Sequence, residues 1–203
     1  NLVGAFLSVE VALTVTNAVI KIQDKSGAPK AEFLVNHGHL LLMVVFCGLI
    51  GGILWNLLTW LLGLPSSSSH ALFGGLVGST LAALGINGVN WAGDGTKLDG
   101  VVGKVLLPAL SSPLVAALVA TVGTWIVYRI TAGVANRWKE GGFRWGQIGT
   151  ASLVSLAHGT NDAQKTMGVI AALLVGTGHL TAAADGNVVV PVWVEFAAYG
   201  AIA

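Results

Sequence analysis

The sequence predicts an all-α, polytopic membrane protein, and three observations carry that expectation. Hydrophobic residues fill 54% of the 203 positions and charged residues only 9%, where a soluble domain carries about 25% charge. The mean hydropathy is +0.79. The apolar residues also gather into runs comparable to the ~20 residues a helix needs to cross ~30 Å of hydrocarbon. A formal net charge of +1 argues neither for nucleic acid nor for a strongly acidic partner; the partner the composition implies is the lipid bilayer. Cys47 is the single cysteine, which excludes an intrachain disulfide, and the five histidines have no zinc-type spacing. No cofactor or structural metal is expected.

Taken in order, Leu2–Ile20 forms a first span, interrupted by Glu10 and Asn17, and Lys21–His39 forms a charged loop. Leu40–Leu64 is a second apolar run, ending in GLPSSSSH at Gly63–His70, and apolar character resumes over Ala71–Ile86. That second arm, at about 16 residues, is short for a full crossing. Two apolar arms joined by a Pro/Ser turn predict a re-entrant hairpin over 40–86, its tip lining a cavity or packed in protein. Gly74, Gly75, Gly78 and Ser79 have the small-xxx-small spacing that lets helices approach closely. Asn56 and Thr59 are assigned to bonds between helices, and Trp55 and Trp60 to packing.

Asn87–Gly103 reads as a Gly-rich loop, and Val105–Ile130 as a further span whose first turns Pro108 and Pro113 should kink. Four of the ten Lys/Arg residues fall between Arg129 and Arg144. The positive-inside rule therefore places a basic loop, 131–145, in the cytoplasm. Trp91, Trp138 and Trp145 lie near loop boundaries, as interfacial belts do. Gly146–Ala157 and Ala163–Val175 are two short arms around a second polar tip, and Pro191–Ala203 begins a truncated span. The expected organisation is thus 1–130, a cytoplasmic loop 131–145, and 146–203 with a helix broken at 157–168. Both ends of the chain look cut, as in an internal piece of a longer membrane protein.

The second tip, within Ser155–Gly168 (SLAHGTNDAQKTMG), concentrates His158, Thr160, Asn161, Asp162, Gln164, Lys165 and Thr166 inside an apolar segment. Ionisable groups at membrane depth are expensive and mark substrate or ion paths. Two interrupted apolar segments in one chain are the pattern of a transporter site built from broken helices. At the first tip, Ser66, Ser67, Ser68 and Ser69 would precede a helix starting near His70, offering hydroxyls and free amides as a cradle for a tetrahedral oxyanion. The plainer alternative is a capped helix start.

At the second tip, a continuous helix would set His158, Asn161, Asp162 and Lys165 on one face. A break at Gly159 would instead make Thr160 or Asn161 a cap. Asp162 with the Asn161 amide oxygen suits a hard cation such as sodium. Lys165 would neutralise Asp162 or meet an anion; the alternative is an ion pair that only joins two helices. A carboxylate beside an anion site repels the anion unless a cation or proton intervenes, which suggests symport.

HGTNDAQKTMGVI, His158–Ile170, resembles the second-half signature of the inorganic phosphate transporter family, and GLPSSSSHALFGGLVG, Gly63–Gly78, resembles its first-half hairpin element. The resemblance implies an inverted-repeat transporter that carries inorganic phosphate with sodium or protons across the plasma membrane. It implies that Ser66, Ser67, Ser68 and Ser69 supply phosphate-binding groups and that Asn161 and Asp162 belong to the cation and phosphate site; the residues themselves add Lys165 as a further phosphate ligand and Thr160 as a further cation ligand. It also implies that a first-repeat Asn-Asp motif and a second Ser/Thr hairpin lie outside this chain. A homo-oligomer is compatible with the sequence.

Three other readings compete, one of them a non-transporting membrane subunit or scaffold, which would leave the polar tips an unexplained cost. Sulfate is also a tetrahedral oxyanion and would suit the same fold. An intramembrane serine hydrolase would use Ser69 with His70 or Ser155 with His158, but adjacent Ser-His cannot readily form a nucleophile–base contact and no GxSxG context is present.

Overall fold

The computed structural model describes residues 19–20, 38–93, 100–134, 136–180 and 188–202. Among them the regular structure is helical, apart from one antiparallel bridge between Ile20 and Val89. The expected span Leu2–Ile20 and the loop Lys21–His39 lie almost wholly outside the described residues, as do Asp94, Lys97 and Asp99. Val19 and Ile20 themselves are buried, and the Asn90 amide donates to the Val19 carbonyl at 2.9 Å.

Helix α1 spans His39–Leu61 and helix α2 spans Ser68–Leu84. The two pack against each other as a helical hairpin. A Schellman motif ends α1: Leu64 N–H bonds the Thr59 carbonyl at 2.8 Å and Gly63 N–H bonds the Trp60 carbonyl at 3.1 Å. Gly63 takes φ 66 at the position where a left-handed residue is needed. Pro65 follows at once and stops the helix from continuing.

The hairpin closes on small residues. A methyl on Gly75 would collide with the carbonyl oxygen of Gly48, and one on Gly52 would stand 3.2 Å from the Ala71 carbonyl oxygen. The small-residue register is therefore Gly48 and Gly52 on α1 against Ala71, Gly75 and Ser79 on α2. Gly74 and Gly78 face open space instead. With 23 residues, α1 is long and apolar enough to cross a membrane by itself; the 17 residues of α2 rise only ~26 Å.

Helix α3, Leu107–Thr131, follows a π-helical turn at Val102–Leu106 in which Leu107 N–H bonds the Val102 carbonyl. Pro108, at the start of α3, has no N–H to continue an α-ladder, which accounts for the irregular turn before it. Pro113 lies inside α3. No residue of α3 is buried, and Leu110, Leu114 and Tyr128 are each more than 70% exposed. Such a predominantly apolar surface belongs against lipid or other membrane helices.

Helix α4 runs without interruption over Asn136–Gly176, and α5 over Val192–Ile202. This corrects two expectations. The basic loop 131–145 shrinks to a turn at 132–134, because the residues from Asn136 continue into the helix that carries the apolar arm. The helix expected to break at 157–168 is also intact. Thr160 and Thr166 return their hydroxyls to the Leu156 and Asp162 carbonyls at 3.0 Å each, so these polar side chains are satisfied on the helix itself. Gly159 is buried within the helix and does not break it.

Ala163, Met167, Ala171 and Ala172 of α4 pack with Val194, Ala198 and Tyr199 of α5 and with Leu41, Val45 and Leu76 of the hairpin in one buried cluster. At one end Gly176 lets Leu41 close on α4, and a Schellman motif at Gly178, φ 76, ends the helix. This packing holds the middle of α4 beside the start of α2.

Candidate functional site

The serine tip divides its hydroxyls among three partners. The helix starts earlier than the sequence suggests, so Ser67 is the N-cap of α2 and Ser68 and Ser69 lie in its first turn. Ser67 Oγ accepts the His70 N–H at 3.4 Å and lies 2.8 Å from His70 Nδ1. The Ser66 hydroxyl donates to Asn56 Oδ1 at 3.4 Å. Ser69 turns the other way and accepts from Lys165 Nζ at 2.6 Å. As at any helix start, the amides of this first turn lack intrahelical acceptors.

The second motif is arranged along one face of α4, as the continuous-helix alternative requires. Asp162 Oδ2 lies 3.0 Å from His158 Nε2 one turn earlier, and Asp162 Oδ1 lies 3.3 Å from Lys165 Nζ. These are i,i+4 and i,i+3 relations that only an unbroken helix supplies. The Asp162 and Lys165 side chains are 30% and 25% exposed, while His158 is 62% exposed. Asn161 is exposed, off the buried side of the helix.

Lys165 thus joins two motifs that lie 96 residues apart. One ammonium connects the Asp162 carboxylate to the Ser69 hydroxyl at the positive end of α2. Of the expected phosphate ligands, Ser69, Asp162 and Lys165 are brought together. Ser66 and Ser67 are not; they line a separate groove of about 580 Å³ with Gly51, Trp55, Pro65 and His70. Ser68 makes no hydrogen bond among the described residues. Of the expected cation ligands, Asp162 is central, Asn161 is set apart, and Thr160 is bonded to its own helix.

Sequence reasoning missed the roles of Asn56, His70 and Trp55. Asn56 bonds the tip rather than another helix, His70 completes the Ser67 cap, and Trp55 is 56% exposed on the groove wall. Their signal was present: Trp55 and Asn56 fall within the last two turns of α1, close to the serine tip.

A model of the phosphate transporter family matches residues 1–203, the full length of the chain. The chain belongs to the phosphate transporter family. Among curated relatives, a probable low-affinity inorganic phosphate transporter of Mycobacterium tuberculosis is 54% identical over 194 residues, covering 96% of this chain and 40% of its own length. The corresponding protein of Bacillus subtilis is 35% identical over 97% of this chain and 52% of its own length. The low-affinity inorganic phosphate transporter PitB of Escherichia coli is 34% identical over 71% of this chain and 32% of its own length. The chain therefore spans about 40% of the length of the first of these relatives. No solved structure matches it.

The family and the relatives named with it are phosphate transporters rather than enzymes. The Ser67–His70 contact is accordingly a helix cap, and the serine hydrolase reading falls away.

Proposed function

We propose that this chain supplies part of the substrate site of a secondary transporter that moves inorganic phosphate across the plasma membrane with a coupling cation. The observation that carries this reading is the Lys165 bridge between the serine tip and Asp162. Each component suits a tetrahedral oxyanion. The start of α2 offers amides and a partial positive charge, the serines offer hydroxyls, and Lys165 offers an ammonium. Asp162 favours phosphate among such anions, because a protonated phosphate can donate to a carboxylate. Its negative charge also accounts for a coupling cation, since an anion can approach only when that charge is offset.

On this reading the hairpin α1–α2 is re-entrant, with its tip at membrane depth, and belongs to the first of two inverted repeats; α4 belongs to the second. The start of α4, with Arg144 and the basic residues before it, lies on the cytoplasmic side. Supporting pieces from the remainder of the protein complete the site. Labelled phosphate uptake by the full-length protein in proteoliposomes tests the proposal. Uptake stimulated by an imposed cation gradient, and resistant to excess sulfate, is expected. Uptake indifferent to every cation gradient removes symport, and equal competition by sulfate removes the phosphate preference.

A further inference from the structure

Asp162 is held from both directions along the axis of α4. His158 Nε2, one turn before it, stands 3.0 Å from Oδ2, and Lys165 Nζ, one turn after it, stands 3.3 Å from Oδ1. A carboxylate can only accept, so the hydrogen of the first contact belongs to Nε2. The second contact alone leaves the plane of the carboxylate undetermined. Rotation about the terminal Asp torsion is broad and two-fold, and an ammonium on a flexible stem pairs with either oxygen. The planar imidazole, on the same unbroken helix, removes that freedom. With Oδ2 taken, Oδ1 is the oxygen that faces Lys165 and, through it, Ser69.

Packing does not account for His158. Its side chain is 62% exposed, and it stands outside the buried cluster that joins α4 to α5 and the hairpin. A histidine kept to fill the core would be covered, whereas one kept to fix Asp162 need only reach Oδ2. The two partners of Asp162 also differ in kind. Lys165 bonds Ser69 as well, at 2.6 Å, and so belongs to the site itself; the partner of His158 among the described residues is the outer oxygen of Asp162.

We propose that His158 is a positioning residue for phosphate: by bonding Asp162 Oδ2 it turns Oδ1 toward the serine tip, where that oxygen accepts the hydrogen of a protonated phosphate. The inference rests on the phosphate-transport reading and names the group that sets its acceptor in place. His158 acts through Asp162 and does not itself hold the anion.

The test is the concentration dependence of labelled phosphate uptake by the full-length protein in proteoliposomes, for the wild type, His158→Leu and His158→Gln. Leucine fills similar space without a donor, and glutamine carries its amide nitrogen as many bonds from Cβ as Nε2 lies. Loss of an outer partner that orients a ligating group costs about 10–100-fold. His158→Leu should therefore raise KM by about tenfold or more with little change in kcat, the pattern of lost binding, and His158→Gln should restore most of the wild-type KM. A merely structural role would reduce the amount of active protein, and with it the maximal rate, and leave KM in place. A wild-type KM in His158→Leu overturns the inference, and so does a His158→Gln protein with a KM as high as that of His158→Leu. If the leucine variant does not fold, His158→Asn, whose amide is one bond too short to reach Oδ2, replaces it with the same two readings. Absence of uptake by the wild type would instead remove the transport reading beneath the inference.

Discussion

Substituting Gly75 by alanine should separate the packing of the hairpin from the intrinsic preference of its helix. A Cβ at Gly75 would strike the Gly48 carbonyl oxygen and stand 3.1 Å from both the Gly48 carbonyl carbon and the Gly52 nitrogen. These are backbone atoms, so relief requires α1 and α2 to move apart by roughly an ångström or more, given ordinary contacts of ~3.5–4.0 Å. Gly78, one turn further along α2, is the matched control: a Cβ there meets nothing within 4 Å.

Both substitutions gain about 1 kcal/mol of helix propensity. Only Gly75→Ala adds an overpacking term of ~1–3 kcal/mol. The two variants should therefore differ by ~1–3 kcal/mol, or ~2–12 °C in Tm at 2–4 °C per kcal/mol. Thermal unfolding of the detergent-solubilised full-length protein reads this directly. Gly78→Ala should melt at or slightly above the wild type and Gly75→Ala below Gly78→Ala. Equal melting temperatures for the two variants would refute the close approach at Gly48. Because the same movement shifts the start of α2, Gly75→Ala should also loosen the Ser69–Lys165 bond.

Two further substitutions test how the tip is held. Ser67→Ala removes the N-cap of α2 and the partner of His70, and should lower stability by about 1 kcal/mol, read as a Tm shift; an unchanged Tm would contradict the cap. Gly63→Ala places a side chain at φ 66 with no neighbour within 4 Å. Left-handed strain of ~1–2 kcal/mol is then the only effect, and Gly63→Asn, which tolerates that conformation better, should recover part of the lost Tm.

Much of the fold was legible in the sequence because hydrophobic runs and turn residues are local signals. Gly63 and Pro65 marked the end of α1, and the small residues of α2 announced a close helix contact. The helix around Asp162 was harder to foresee. Gly159 and the polar residues beside it suggested a break, but the chain satisfies them along the helix axis, through His158–Asp162, Asp162–Lys165 and the two threonine back-bonds. Ser66–Ser69 could be recognised as a group, yet not their division. Which hydroxyl faces Asn56, His70 or Lys165 depends on where helix α2 begins, and a one-residue shift there rotates each side chain by ~100°. The Ser69–Lys165 contact spans 96 positions, a separation across which periodicity carries no information.

On the proposed function, Ser69 and Asp162 act in one phosphate site joined through Lys165. A double-mutant cycle on phosphate uptake by the full-length protein, using Ser69→Ala, Asp162→Asn and the pair, tests it most directly. A hydrogen bond to a charged group contributes about 1.5–3 kcal/mol, so each single variant should lose roughly tenfold or more in kcat/KM. Groups acting through a shared partner are non-additive, and the double variant should fall little further than the worse single one. Losses that multiply independently, or a Ser69→Ala protein with wild-type uptake, would contradict the claim.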